Sequence, residues 1–180
     1  LNGKDYVSYD ELAPSASVSN SFYDVTVRSR FKWRMKYRKY ADANYQGRDG
    51  WGYTVDYQLS IPVKKWQTLK PNIWYRQQNA KVDKSRAYDA WGLKITAQYK
   101  YEKYSLSGSY QLANYEYQAA DSSHSSPKKN DRTDLRGSLR YQVNAHWQTF
   151  LLVNYTQQLS NQALYEFERL KSELGFVFKF

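Results

Sequence analysis

The chain has 180 residues, no cysteine and a formal net charge of +10, which fits one domain and excludes disulfides and thiolate metal sites. Its mean hydropathy of -0.89 is that of a polar chain, yet 18% of its residues are aromatic, which argues against disorder. No run approaches the roughly 18 consecutive apolar residues of a membrane helix, a limit that does not touch a membrane β-barrel, whose strands alternate polar and apolar residues.

Residues 1–20 follow no regular period. Asp5, Asp10 and Glu11 fall in the first part, and Pro14 to Asn20 is rich in small residues. This stretch is expected to be an N-terminal periplasmic extension or linker ahead of a barrel domain over 21–180. The chain opens with Leu1, as a mature or trimmed form would.

From Phe22 onward a period of two takes over. In the first run Tyr23, Val25, Val27, Phe31, Trp33, Met35 and Tyr37 fall on one face, and Asp24, Arg28, Arg30, Lys32, Arg34 and Lys36 on the other. A helix would scatter these residues round its axis. The alternation recurs with Trp51, Tyr53, Val55, Tyr57, Leu59 and Ile61, then with Leu69, Pro71, Ile73 and Tyr75. Pro71 is awkward in a central strand and predicts a strand start or a bulge. Trp91, Leu93, Ile95, Ala97 and Tyr99 follow, then Tyr104, Leu106, Tyr110 and Leu112, then Leu135, Leu139, Tyr141 and Val143. The seventh run, Trp147 to Tyr155, is less clean because Phe150 and Leu152 face the polar side. The last run alternates Leu170, Leu174, Phe176, Phe178 and Phe180 with Arg169, Lys171, Glu173 and Lys179.

The connectors alternate in length. Tight ones fall around 62–65, 100–103 and 144–146; longer polar ones fall around 39–50, 79–89, 118–132 and 157–166, with 120–130 reading as a flexible loop. An up-and-down order puts every long loop at one end, and every tight turn, with both termini, at the other. Trp51, Trp66, Tyr75, Trp91, Tyr99 and Trp147 lie near strand ends, as interfacial aromatic girdles do. The expectation is an all-β fold: a transmembrane antiparallel up-and-down β-barrel of about eight strands, or a part of a wider barrel, with short periplasmic turns and longer external loops.

Alternation turns thirteen bases inward: Arg28, Arg30, Lys32, Arg34, Lys36, Lys70, Arg76, Lys94, Arg136, Arg140, Arg169, Lys171 and Lys179. It turns only four acids inward: Asp24, Asp56, Asp134 and Glu173. Eight strands leave room for little more than side chains, and an unpaired charge in a dry interior is costly. The excess therefore points to a hydrated anion-selective lumen, to a wider barrel, or to basic residues reaching lipopolysaccharide phosphates beyond the membrane.

The ending Leu174-Gly-Phe-Val-Phe-Lys-Phe180 resembles the C-terminal signature of Gram-negative outer-membrane proteins. That resemblance implies an outer-membrane location and makes Phe176, Phe178 and Phe180 the signal read by the barrel-insertion machinery. The basic inner face is similar to that of small monomeric porins for acidic oligosaccharides, a group built on twelve strands where eight runs are counted here. It implies a solute path lined by Arg28, Arg30, Lys32, Arg34, Arg76, Lys94, Arg136 and Arg140.

An enzyme is not expected: His124 and His146 are the only histidines, and neither has a serine and carboxylate framework in view. No cofactor motif, metal-spaced cluster or phosphate-binding glycine loop is present. Nucleic acid is not an expected partner, because alternation separates aromatics from bases everywhere except at Trp74 and Tyr115. The expected function is an outer-membrane channel for small anionic solutes, with acidic oligosaccharides as one class. The alternatives are a structural barrel whose loops bind a partner or lipopolysaccharide, and a barrel component of a larger export assembly. The expected partners are outer-membrane lipid, lipopolysaccharide, the insertion machinery and small anions.

Overall fold

A computed structural model describes residues 7–12, 15–22, 25–40 and 48–178. The described residues form one antiparallel sheet of ten strands. They are β1 (Val7–Leu12), β2 (Ser15–Phe22), β3 (Val25–Tyr40), β4 (Gly50–Lys64) and β5 (Gln67–Gln78), then β6 (Tyr88–Tyr101), β7 (Tyr104–Tyr117), β8 (Lys129–Gln142), β9 (Trp147–Ser160) and β10 (Phe167–Phe178). Two single 3-10 turns, Lys84–Arg86 and Ala163–Tyr165, lie in the connections.

The eight strands β3 to β10 pair in sequence order, each antiparallel to the next. This is the up-and-down meander that the period of two and the alternating connectors predict. Tight turns join β4 to β5, β6 to β7 and β8 to β9 at one end, and the longer connections cluster at the other.

The sheet begins earlier than the clean alternation does. Val7–Leu12 pairs with Tyr40–Met35 and Ser15–Phe22 with Lys32–Val25, so β1 and β2 lie end to end along one edge of β3. The expected boundary at residue 21 therefore does not coincide with the edge of the sheet. Val7 stands at the long-loop end, whereas Phe178 stands at the tight-turn end. Polar residues such as Ser15, Ser17 and Ser19 hide strand character from a pattern search, yet backbone pairing with β3 needs no apolar side chain.

Pro71 lies inside β5, opposite Ile95 of β6. On its other side, β4–β5 pairing stops at Gln58↔Asn72 and resumes at Ile61↔Leu69. The proline, which has no N–H to give, faces that interruption. A register shift follows between Pro62 and Lys64.

Cross-strand partners share faces throughout. One row runs Trp33, Val55, Tyr75, Trp91, and another runs Phe31, Tyr57, Ile73, Leu93, Leu112. The apolar face is exposed: Trp91 is 54%, Ile95 53% and Leu135 52% accessible. Among the described residues the buried apolar side chains are alanines, Ala80, Ala87, Ala90 and Ala113. Monomeric proteins that keep both faces in water rarely leave so wide an apolar surface uncovered. Aromatic contacts border it at both ends. Tyr37–Trp51 (4.8 Å) and Tyr53–Tyr75 (5.9 Å) lie toward the long loops, and Trp66–Tyr101 (6.0 Å), Tyr104–Tyr141 (4.8 Å) and Trp147–Phe178 (4.8 Å) toward the tight turns.

Candidate functional site: the basic face

Even-numbered residues of β3 to β6, β8 and β9, with odd-numbered residues of β7 and β10, build the opposite face, and register decides which bases become neighbours. Arg30, Gln58, Asn72, Lys94, Gln111, Asp134, Thr156 and Arg169 form one cross-strand row. Nearer the long loops, Lys32, Asp56, Trp74, Gly92, Ala113, Arg132 and Gln158 form the next. Beyond it stand Arg34, Thr54, Arg76, Ala90, Tyr115 and Asn130. Arg136 sits in a row toward the tight turns with Ser109 and Asn154; Arg140 lies still closer to them, beside Ser105 and Phe150. Arg28 pairs with Ser60. The eight expected solute-path residues thus share a face but spread along its full height.

Two acids on this face, Asp56 and Asp134, are engaged. Asp56 accepts from Asn72 Nδ2 at 2.8 Å and lies 4.0 Å from Arg30 Nη2, which donates to Gln58 Oε1 at 2.6 Å. Asp134 accepts two bonds from Arg132, at 2.9 and 3.0 Å, and a third from Thr156 Oγ1 at 2.7 Å. The bidentate pair lets Asp134 sit only 4% exposed. The connector pattern places Arg132 at the end of the 118–132 loop. In the structure it belongs to β8 and takes up Asp134, so that carboxylate is already engaged beside Lys94 and Arg136. The sole sequence signal was Arg132 having the same parity as Arg136 and Arg140.

Large side chains on this face rest on glycines across the strand gap. A Cβ on Gly92 would lie 2.5 Å from the Trp74 ring, and a Cβ on Gly175 would lie 2.5 Å from the Phe150 ring. The inward Phe150 that blurred the seventh run is thereby accounted for: it covers the space a side chain on β10 would fill. Arg76 lies 5.5 Å from the Trp74 ring centroid, and Trp74, Tyr115 and Tyr88 form a chain of ring contacts at 6.3 and 5.7 Å.

A recess of about 250 Å³ opens on this face toward the long loops. Arg34, Lys36, Arg38 and Arg76 line it together with Gly52, Thr54 and Tyr88. Among the described residues no carboxylate lines it. The Nε atoms of Arg34 and Arg38 are buried and make no hydrogen bond. Buried guanidinium Nε donors without partners, set round a space that no carboxylate of the described residues lines, are what an anion would satisfy. Gly52 lines the recess with the Gln78 side chain close against it: a Cβ there would meet Gln78 Oε1 at 2.6 Å.

The 120–130 connection, expected to be flexible, is tied down. Asp121 accepts from His124 Nδ1 (2.8 Å), Ser123 Oγ (2.7 Å), the Ser123 amide (3.0 Å) and Tyr165 OH (3.1 Å). Lys128 lies between the Tyr117 and Tyr165 rings, 4.0 and 3.8 Å from their centroids. Its pKa is lowered, first by desolvation and then by the Arg86 charge. Gln162 Nε2 donates to Ser126 O and Asn161 Nδ2 to Pro127 O, both at 2.9 Å. These partners come from the connection between β9 and β10, which is why local sequence did not disclose the order. His124 has Asp121 and Ser123 beside it, the serine and histidine sharing one carboxylate oxygen in a surface turn.

Phe176 and Phe178 lie on the apolar face of β10 opposite Thr149 and Trp147, while Phe180 lies outside the described residues. Among the described residues no group of His, Asp or Glu side chains could hold a metal ion. No curated protein and no solved structure matches the chain at significant similarity. A family model described as "protein of unknown function (DUF2860)" matches residues 39–178, from the end of β3 through β10. With well over half its length matched, the chain belongs to the DUF2860 family.

Proposed function

We propose that the protein is an outer-membrane β-barrel that conducts small anionic solutes, with acidic oligosaccharides as the favoured class. The observation that carries this reading is the sorting of the two faces. One presents an exposed apolar belt between aromatic bands, the other an array of bases that its acids do not match. A closed sheet with the belt outward would meet lipid with its apolar side and enclose the bases in water. Arg30, on the basic face, has a side chain 52% exposed. The arginine-lined recess supplies a place where an anion pauses, and the rings of Trp74, Tyr88 and Tyr115 nearby suit the flat face of a sugar.

Purified protein in planar bilayers under a salt gradient tests this reading. Step-like currents with a reversal potential of anion-selective sign, altered by an oligogalacturonate but not by its neutral analogue, are expected. Absence of conductance, or a cation preference, overturns it. The packed long-loop network around Asp121 and Lys128 favours a second reading, in which the barrel presents an ordered surface to a partner or to lipopolysaccharide.

A further inference from the structure

Strand directions constrain how this sheet can close. β1 and β2 together occupy one position beside β3, and every pairing from there to β10 is antiparallel. Direction therefore alternates across nine positions, and the first and last run the same way, both from the long-loop end to the tight-turn end. Laying β10 directly against β1–β2 would create a parallel pair in an otherwise antiparallel sheet. Laying it against β3 is blocked, because β3 already has β1–β2 on one edge and β4 on the other. A second copy inserted in the same orientation offers the same direction at its own edge and meets the same conflict.

The β10 edge carries the marks of a missing neighbour. Leu170, Leu174 and Phe176 are 69, 74 and 70% exposed, against 47% for Leu93 and 53% for Ile95 on a central strand. Arg169 and Lys171 on the opposite face are exposed as well. In a bilayer, each unpaired backbone group on such an edge would cost several kcal/mol.

We infer that the sheet is completed by an odd number of further antiparallel strands, belonging to the same polypeptide and lying between the β1–β2 edge and the β10 edge. An odd number restores alternation at both edges and makes the total even, as in bacterial single-chain barrels. Covalent continuity makes that pairing intramolecular, so it does not wait on a second chain. The strand against β10 alternates, with apolar side chains covering Leu170, Leu174 and Phe176 and polar or acidic ones opposite Arg169 and Lys171. This inference rests on the membrane-barrel reading, and it widens the lumen beyond what an eight-stranded wall encloses.

The test uses protein expressed from its complete coding sequence, with cysteine pairs oxidised in the folded state. Ser172→Cys with Val153→Cys, partners in the β9–β10 ladder, is the control and should crosslink within one chain. Ser172→Cys or Leu174→Cys is then combined with Val27→Cys, Ser29→Cys or Phe31→Cys on β3, and with Ala16→Cys or Val18→Cys on β2. None of these pairs should crosslink, while the β10 amides that point away from β9 should resist hydrogen exchange. A β10–β3 disulfide would show eight-strand closure and a β10–β2 disulfide nine-strand closure. A disulfide-linked dimer would show a second copy, and freely exchanging β10 amides an open edge. Each of these overturns the inference. Fractionation of the same protein reports on the membrane reading separately, since a soluble protein could still give any of the crosslink results.

Discussion

Arg34 and Arg76 stand on either side of Thr54 in one cross-strand row, on strands that are not themselves neighbours. Both line the recess, and the buried Nε of Arg34 has no partner. Replacing Arg34 or Arg76 with Gln should lower anion preference without loss of folding, because neither makes an ion pair among the described residues. An anion held 4 Å from one such charge gains about 1 kcal/mol in water, roughly fivefold in occupancy. The double variant should reduce selectivity more than either single one, measured as the shift in bilayer reversal potential. Lys100→Gln, near the tight turns, should have a smaller effect.

Ile95 and Leu135 lie on the apolar face near the middle of their strands, each in register with Tyr110. If that face meets lipid, Ile95→Arg or Leu135→Arg should cost about 2–4 kcal/mol of folding stability in a bilayer. A face already in water would register about 0.5 kcal/mol or less. Urea midpoints for refolding into lipid vesicles separate the two outcomes.

Glycines on the two faces should answer differently to one added methyl group. On Gly92 a Cβ would press on the Trp74 ring at 2.5 Å and on Leu112 O at 2.7 Å. Gly92→Ala should destabilise by about 1–3 kcal/mol. Gly108 and Gly137, partners on the apolar face, have nothing within 4 Å of the same position. Ala there should be neutral or stabilising by about 0.5–1 kcal/mol, through the backbone entropy glycine loses in a strand. Thermal loss of the folded gel form ranks the variants.

The His124 bond, with those from Ser123 and Tyr165, holds the Asp121 carboxyl well below the usual carboxylate range. A folded-state pKa below the unfolded value stabilises the loop above the unfolded pKa, and the benefit disappears as pH falls through the folded value. The Ser123 amide should therefore stay protected from exchange at pH 4 and lose protection only in stronger acid. Asp121→Asn should remove that acid dependence and leave the amide less protected at neutral pH.

Which face a residue occupies was legible from the amino-acid order, because on a strand it depends on parity alone. Trp91, Ile95 and Leu135 on one side and Arg30, Lys94 and Arg136 on the other needed no knowledge of their neighbours. The loop rhythm and the up-and-down order followed from the same pattern. Contacts that join distant segments were not legible. Arg132 opposes Gln158 across the sheet and takes up Asp134; Tyr165 reaches Asp121 from another connection; β1 and β2 join the sheet by backbone bonds that leave no apolar signature. Pairing register and the direction of the two outermost strands arise from hydrogen bonds between segments far apart in sequence. Only the tertiary structure could decide which bases share the recess and which edges lie open to further strands.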